Sequence, residues 1–338
     1  MSNDATGASR ALSAVVPCFN EAAGLNELHR RLADACRSVV GDDYELVFVN
    51  DGSSDETWTG LQQIAQRDRH VVAVNLARNF GHQLALSAGM SLCRGQRILV
   101  VDADLQDPPE LLGEMFRLMD AGASVVYGQR TDRFGETAFK RLTARLFYRL
   151  LSSLTDVTIP VDTGDFRLMD RQVLDVLNRM PEQHRFIRGM VAWAGFRQVP
   201  LVYSRAARYA GSTKYSLRKM LRFALDGITS FSTRPLRLSI YLAFLMLVVA
   251  ALTFVYVGYS WLFLDSVRGW ASLLTLVLVF NGTQLLVIGI AGEYIGRIFM
   301  ESKSRPLYVI SEVFVSQPGF AQVPREVHAG AMSDRASI

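Results

Sequence analysis

Cysteine is scarce in this 338-residue chain and cannot pair off: Cys18, Cys36 and Cys93 are odd in number and form no C-x-x-C unit. A disulfide scaffold and a structural zinc site are thereby excluded, and a reducing compartment is expected. None of the three is an expected nucleophile. No G-x-G-x-x-G follows the first apolar run and no G-x-x-x-x-G-K-[ST] occurs anywhere, which argues against a dinucleotide fold and a P-loop. Met1 to Arg10 lacks a basic stretch leading into an apolar one, so no cleavable signal peptide is expected. Repeats and low-complexity segments are missing too. The last absence is local. Roughly 27 residues between Arg237 and Asp265, and roughly 24 between Arg268 and Glu293, carry no charge, and each run is long enough to cross a ~30 Å hydrocarbon core.

Around those runs the charge is lopsided. The net charge of +4 is modest, yet Arg205, Arg208, Lys214, Arg218, Lys219, Arg222, Arg234 and Arg237 crowd the approach to the first run. The connecting loop, Asp265 to Arg268, carries one acid and one base, and Arg297, Lys303 and Arg305 follow the second run. By the positive-inside rule this predicts a hairpin with both ends cytoplasmic. So local a basic cluster points to a membrane and not to a nucleic acid. The chain divides accordingly into a disordered N-terminus (1–10), an α/β domain (11–215), a juxtamembrane amphipathic helix (216–234), two transmembrane helices (235–298) and a cytoplasmic C-terminal tail (299–338). A second basic amphipathic helix, lying at the interface or packed on the sheet, is expected over 135–154. Gly292 and Gly296 form a small-xxx-small pair in the second span.

Within the first 130 residues, apolar runs alternate with helical spacing. Strands are expected at 11–17, 44–50, 71–76, 98–101 and 124–127, with helices from Leu25 and over 55–65, 83–92 and 109–119. This alternation predicts a parallel, doubly wound sheet. Three of its strands end in polar clusters: Pro17-Cys18-Phe19-Asn20-Glu21, Asn50-Asp51-Gly52-Ser53-Ser54-Asp55, and Asp102-Ala103-Asp104-Leu105-Gln106-Asp107-Pro108-Pro109. Ligands bind at that edge of open α/β sheets, and paired carboxylates spaced i, i+2 suit Mg²⁺ or Mn²⁺ bridging phosphates. A lone D-x-D pair more often caps the next helix, and the Asn50 to Asp55 cluster also reads as a turn and cap. Three clusters on one edge, upstream of two apolar spans, tip the balance towards a metal held beside a membrane.

These motifs resemble those of the membrane-associated family 2 glycosyltransferases with a GT-A fold, in particular the polyprenyl-phosphate glycosyltransferases, which are similar to dolichol-phosphate mannose synthase. The resemblance runs from Ser13 to about Val313, with Phe19 where tyrosine is usual. It implies a GT-A nucleotide-sugar-binding domain followed by interfacial helices and a two-helix transmembrane hairpin. Pro17, Phe19, Glu21, Val49 and Asp51 would line the base and ribose. Asp102, Asp104 and Gln106 would handle diphosphate and Mg²⁺ or Mn²⁺. Arg130 would contact the donor, and Arg208 and Lys214 would close on its diphosphate. Asp162 to Leu168 and Pro181 to Gly189 look most like the bactoprenol-phosphate glucosyltransferase branch. That likeness puts Asp165 on the acceptor side as an orienting group or weak base, with Arg185 and Arg188 on the lipid phosphate unless either pairs with Asp165 instead.

The expected reaction is inverting transfer from a UDP-sugar, UDP-glucose first, to undecaprenyl phosphate, for cell-envelope glycans such as the lipopolysaccharide O-antigen. GlcNAc, galactose, mannose or aminoarabinose donors are the alternatives, as is a non-catalytic nucleotide-sugar-binding scaffold. A processive polysaccharide synthase is disfavoured, because no Q-x-x-R-W motif is present. The branch further implies a homotetramer in the bacterial inner membrane, a separate flippase and a downstream glycosyltransferase.

Overall fold

The computed structural model describes residues 10–130, 163–204, 234–263 and 269–316. The helices expected over 135–154 and 216–234, and with them Arg208 and Lys214, lie outside the described residues.

The chain forms two compact units, one of residues 1–148, 157–216 and 305–338, the other of residues 149–156 and 217–304. An eight-stranded sheet organises the first. Its strands are β1 (Arg10–Cys18), β2 (Tyr44–Asn50), β3 (Val71–Leu76), β4 (Gly95–Val100), β5 (Val125–Arg130), β6 (Thr163–Asp170), β7 (Gln198–Tyr203) and β8 (Ile310–Val315). They lie in the order β7-β5-β6-β4-β1-β2-β3-β8. β4, β1, β2 and β3 are mutually parallel, as the alternation predicts.

Beyond β4 the expected single parallel sheet gives way to a mixed one. β6 lies between β4 and β5 and runs antiparallel to both, while β5 pairs in parallel with β7. The physical reason is connection length: 32 residues, 131–162, separate β5 from β6, ample for the chain to return along the neighbouring strand. Strand β6 needs cover on both sides, because Phe166, Leu168 and Met169 are all fully buried.

Helices cover both faces. Leu25, Leu28 and Leu32 of α1 (Leu25–Val40), Leu61 and Ile64 of α2 (Thr57–Arg67), and Leu112 and Met115 of α4 (Leu112–Asp120) share one core with Leu12, Leu46, Phe48 and Leu99 of the strands. Burial of side chains this size stabilises by roughly 1.5–3 kcal/mol each. On the opposite face α3 (His82–Leu92) packs closely, because a Cβ at Gly89 would stand 2.4 Å from Val15 Cγ1 and 2.9 Å from Val49 Cγ2. The short helices α5 (Arg171–Arg179) and α6 (Ile187–Trp193) follow β6.

The stretch expected to be a tail contains a strand. β8 pairs antiparallel with β3, setting Phe314 opposite Ala73 and Val313 opposite Val74. Val309 O accepts from Ala77 N at 2.9 Å, and Tyr308 Oη donates to Ser91 Oγ of α3 at 2.9 Å. The strand covers an edge that would otherwise present unpaired N–H and C=O groups.

The second unit contains α7 (Arg234–Phe263) and α8 (Trp270–Ser302), of 30 and 33 residues. Both are long and apolar enough to cross a membrane. Phe244, Phe254, Leu262, Ile288 and Ile298 are exposed along them. Two hydroxyls there are satisfied within their own helix: Thr253 Oγ1 and Thr283 Oγ1 donate to the carbonyls of Val249 and Val279. Gly292 and Gly296 have open space around them and pack no partner among the described residues.

Phe314 is partly buried against the core. Phe314→Ala in the full-length protein is therefore expected to lower unfolding stability by about 2 kcal/mol, roughly half the cost at a fully buried phenylalanine. Denaturant unfolding in detergent checks this, and an unchanged midpoint would mean that β8 does not dock on the sheet.

Candidate active site

Three loops at the carboxyl ends of β1, β2 and β3 are tied together by side-chain to backbone hydrogen bonds. Asn20, in the left-handed region at φ 57°, takes Ser53 Oγ on its N–H at 3.0 Å and accepts Ser54 N on Oδ1 at 2.9 Å. Glu21 N donates to Thr57 Oγ1 at 3.0 Å and Ala22 N to Asp55 Oδ2 at 3.3 Å. The Asn50 to Asp55 cluster is thus a turn and cap as well as part of the site. Gly52 sits at φ 63°, where a Cβ would come within 2.5 Å of the backbone of Arg78 and Asn79. Only glycine admits the third loop so closely.

Asp51 holds that third loop. Its Oδ1 accepts Phe80 N at 2.7 Å and its Oδ2 accepts Gly81 N at 2.9 Å. Burial nevertheless raises its pKa against those two hydrogen bonds. A carboxylate assigned to the base is therefore already engaged in shaping the loop that leads to α3. Val49 is fully buried beneath α3, with no side-chain surface left to line a ligand; a parallel strand covered on both faces leaves none. Pro17 is buried, Glu21 is half-buried, and Phe19 is 48 % exposed at the loop tip.

The next loop follows β4. Leu105 is buried at φ 57°, and the turn it makes lets Gln106 N donate to Asp104 Oδ1 at 3.2 Å. Asp107 is fully buried and accepts Tyr203 Oη, with Arg130 Nη2 3.5 Å from each of its oxygens. Arg130 Nε also donates to Tyr203 Oη at 3.3 Å. Asp102 Oδ1 is buried and accepts no hydrogen bond; it faces His82 Nε2 at 3.5 Å. Burial raises the Asp102 pKa to about 6; His82 opposes the rise, and Asp165, Asp107 and Asp104 add to it.

Asp165, near the start of β6, joins these parts. It is buried, its Oδ1 accepts Arg188 Nε at 2.8 Å, and its Oδ2 accepts Gln83 Nε2 at 3.0 Å and faces His82 Nε2 at 3.0 Å. Buried Arg167 lies 3.7 Å from Oδ1. Burial alone would raise its pKa, but Arg188 and His82 outweigh that and hold the carboxyl well below the usual range. Burial likewise opposes the His82 imidazolium, yet the Asp165 hydrogen bond and the two carboxylates prevail and raise its pKa to about 9.

Residues 13–177 match the family described as Glycosyl transferase family 2. The chain is 48 % identical over 303 residues to the uncharacterized glycosyltransferase YkcC of Bacillus subtilis, covering 89 % of this chain and 94 % of that protein. It is 40 % identical over 308 residues to the prophage bactoprenol glucosyl transferase homolog of Escherichia coli, covering 89 % and 99 %. Against the bactoprenol glucosyl transferase of Shigella phage SfV it is 39 % identical over 305 residues, covering 88 % and 97 %. The chain is a family 2 glycosyltransferase.

In this glycosyltransferase the donor set fits the divalent cation that the family resemblance implies. A buried carboxylate oxygen without a hydrogen-bond donor is costly unless a cation comes to it, and Asp102 Oδ1 is such an atom. His82, Asp102 and Asp165 each offer one atom within 4.8 Å of the others. Asp104 lies in the same loop and is not one of those three. Arg185, expected at the lipid phosphate, is buried, and its Nη1 and Nη2 donate to the carbonyls of Met180 and Leu177 at 3.0 and 2.7 Å, so it caps the end of α5. Arg188 pairs with Asp165, the alternative left open by the sequence.

His82, Gln83 and Tyr203 escape a reading of the sequence alone. A signal existed for the first two: Asn79-Phe80-Gly81-His82 follows β3 at the same sheet edge as the other clusters.

His82 carries a pH-dependent share of stability. Its folded pKa of about 9 lies above the ordinary 6.5, so its contribution is full below about 6.5 and disappears as pH rises through about 9. In metal-free protein, the melting-temperature gap between wild type and His82→Gln should narrow steadily from about pH 6 to about pH 10. A constant gap would contradict the ion pairs described here.

Proposed function

We propose that this glycosyltransferase moves glucose from UDP-glucose to the phosphate of undecaprenyl phosphate, inverting the anomeric carbon and releasing UDP. The product is a β-linked lipid-phosphate sugar for cell-envelope glycans. The observation that carries the acceptor is similarity to bactoprenol glucosyl transferases along both units, the apolar hairpin included. A polyprenyl tail resists leaving the bilayer at ~0.8 kcal/mol per methylene, so the enzyme must work where the lipid's phosphate lies. The apolar hairpin supports membrane association, and the cytoplasmic face of a bacterial inner membrane is the expected site, with a homotetramer as the expected assembly. A flippase and a downstream glycosyltransferase would then use the product.

The acceptor is its own nucleophile. A phosphate monoester has a second pKa near ~6 and is largely dianionic at neutral pH, so little general-base help is needed. Asp165 fits that economy: already committed to Arg188 and Gln83, it orients the cations of the site and makes a poor proton acceptor. Arg188, anchored through Nε, is the described cation best placed to meet the acceptor phosphate. Phe19 and Glu21 flank the nucleotide, and the Asp51-held loop shapes its pocket. Asp102 and Asp104 would hold a divalent cation, which would supply positive charge against the departing diphosphate. Arg208 and Lys214 are expected to close over the same group.

Purified full-length protein in detergent, offered radiolabelled UDP- and GDP-sugars with undecaprenyl phosphate, should form lipid product from UDP-glucose and lose that activity to a chelator. Product from another donor would reassign the sugar. No product from any donor, with folded protein, would favour a nucleotide-sugar-binding scaffold. Asp104→Asn should lower turnover by roughly 10²-fold or more, the scale seen when one preorganised electrostatic group is removed. Asp165→Asn should lower it less, and equal complete loss would make Asp165 an obligatory base.

A further inference from the structure

His82, Asp102, Asp165 and Arg188 converge at the first turn of α3, and the resemblance that assigns the other three leaves His82 without a role. We propose that His82 Nε2 is a direct ligand of the divalent cation held beside Asp102, and that this nitrogen makes the site prefer Mn²⁺ to Mg²⁺. The inference rests on the metal-dependent reading above and goes beyond it in naming a ligand and a selectivity.

Three observations carry it. The first is spacing. His82 Nε2 stands 3.5 Å from Asp102 Oδ1 and 3.0 Å from Asp165 Oδ2. Ligand atoms that share an ion at ~2.1 Å each stand about 3–4 Å apart, so the imidazole and Asp102 bracket a cation without rearrangement of the backbone. The second is the buried, hydrogen-bond-free Oδ1 of Asp102, aimed at the same point. The third is that His82 is not the sole partner of Asp165. Gln83 Oε1 accepts Ile187 N at 2.9 Å, which forces its Nε2 towards Asp165 Oδ2, while Arg188 takes Oδ1. With those two donors in place Asp165 remains paired when the imidazole turns its nitrogen to an ion.

The position of the ring is set from behind. Gly81 N, immediately before His82, is held by Asp51 Oδ2, and Asp51 is itself buried at the end of β2. The loop held by Asp51 thus delivers the histidine to the end of β4. Selectivity follows from ligand chemistry: Mg²⁺ takes oxygen almost exclusively, whereas imidazole nitrogen suits the first-row transition metals.

The test uses full-length protein in detergent with Mn²⁺ alone. Pulsed electron paramagnetic resonance of bound Mn²⁺ should show coupling to an imidazole ¹⁴N, replaced by ¹⁵N coupling when the protein is labelled with ¹⁵N-histidine, which needs no variant. In His82→Gln the nitrogen coupling should vanish and the Mn²⁺ dissociation constant should rise roughly tenfold or more. Mg²⁺ affinity, read by competition, should change far less, so the preference for Mn²⁺ should fall by about the same factor. Bound Mn²⁺ without nitrogen coupling would overturn the assignment while leaving metal dependence intact. Tighter Mn²⁺ binding in His82→Gln would overturn it too, making the histidine a competing cation. Failure of wild-type protein to bind Mn²⁺ or Mg²⁺ at all would instead remove the metal-dependent reading, and this proposal with it.

Discussion

A carboxylate buried among cations is the interaction on which this site depends. Asp165 is almost inaccessible and would be costly to ionise alone, so it is tolerable because Arg188 and Gln83 each hold one of its oxygens and His82 stands beside them. Those partners come from α3 and α6, helices separated by about a hundred residues, and their convergence on one oxygen pair fixes where both helices start relative to β6. Removing Arg188, which holds Oδ1, would typically cost about 3–5 kcal/mol, because it takes away the main charge partner of a buried carboxylate. The arrangement also sets the chemistry: an acid held ionised by three donors orients cations and has little appetite for a proton.

The sheet makes that convergence geometrically available. Were β5 to follow β4 directly, as in a simple doubly wound sheet, Asp165 would have no place beside Asp102. Insertion of β6 antiparallel to β4 brings the start of one strand next to the end of the other, and the two carboxylates meet. The same logic extends to Asp107, Arg130 and Tyr203, which join the loop after β4 to the ends of β5 and β7. At the far edge β8 closes the sheet with residues that follow the apolar hairpin, so the chain both leaves and re-enters the sheet-bearing unit around it.

The legible parts of this protein were those written in local pattern. Strands β1 to β4 announce themselves as short apolar runs ending in polar clusters, and the two spans as charge-free stretches. β6 does not, because glycine, aspartate and arginine interrupt its apolar residues, and β8 lies in a stretch whose polarity reads as tail. Arg185 and Arg188 stand three apart in the same segment and look alike in sequence. One turns back to cap a helix and the other reaches Asp165, a choice made by neighbours neither position encodes.

By itself the sequence determined the alternation of strand and helix, the polar clusters at three strand ends, the D-x-D pair and the two membrane-length helices, because each depends on residues close along the chain and on the periodicity of burial. The tertiary structure alone decided the antiparallel insertion of β6, the closure of the edge by β8, the engagement of Asp51 with its neighbouring loop, and the meeting of His82 with Asp102 and Asp165. Those contacts join positions tens to hundreds of residues apart. Their free energy comes from burying charge against charge and strand against strand, which no local pattern reports.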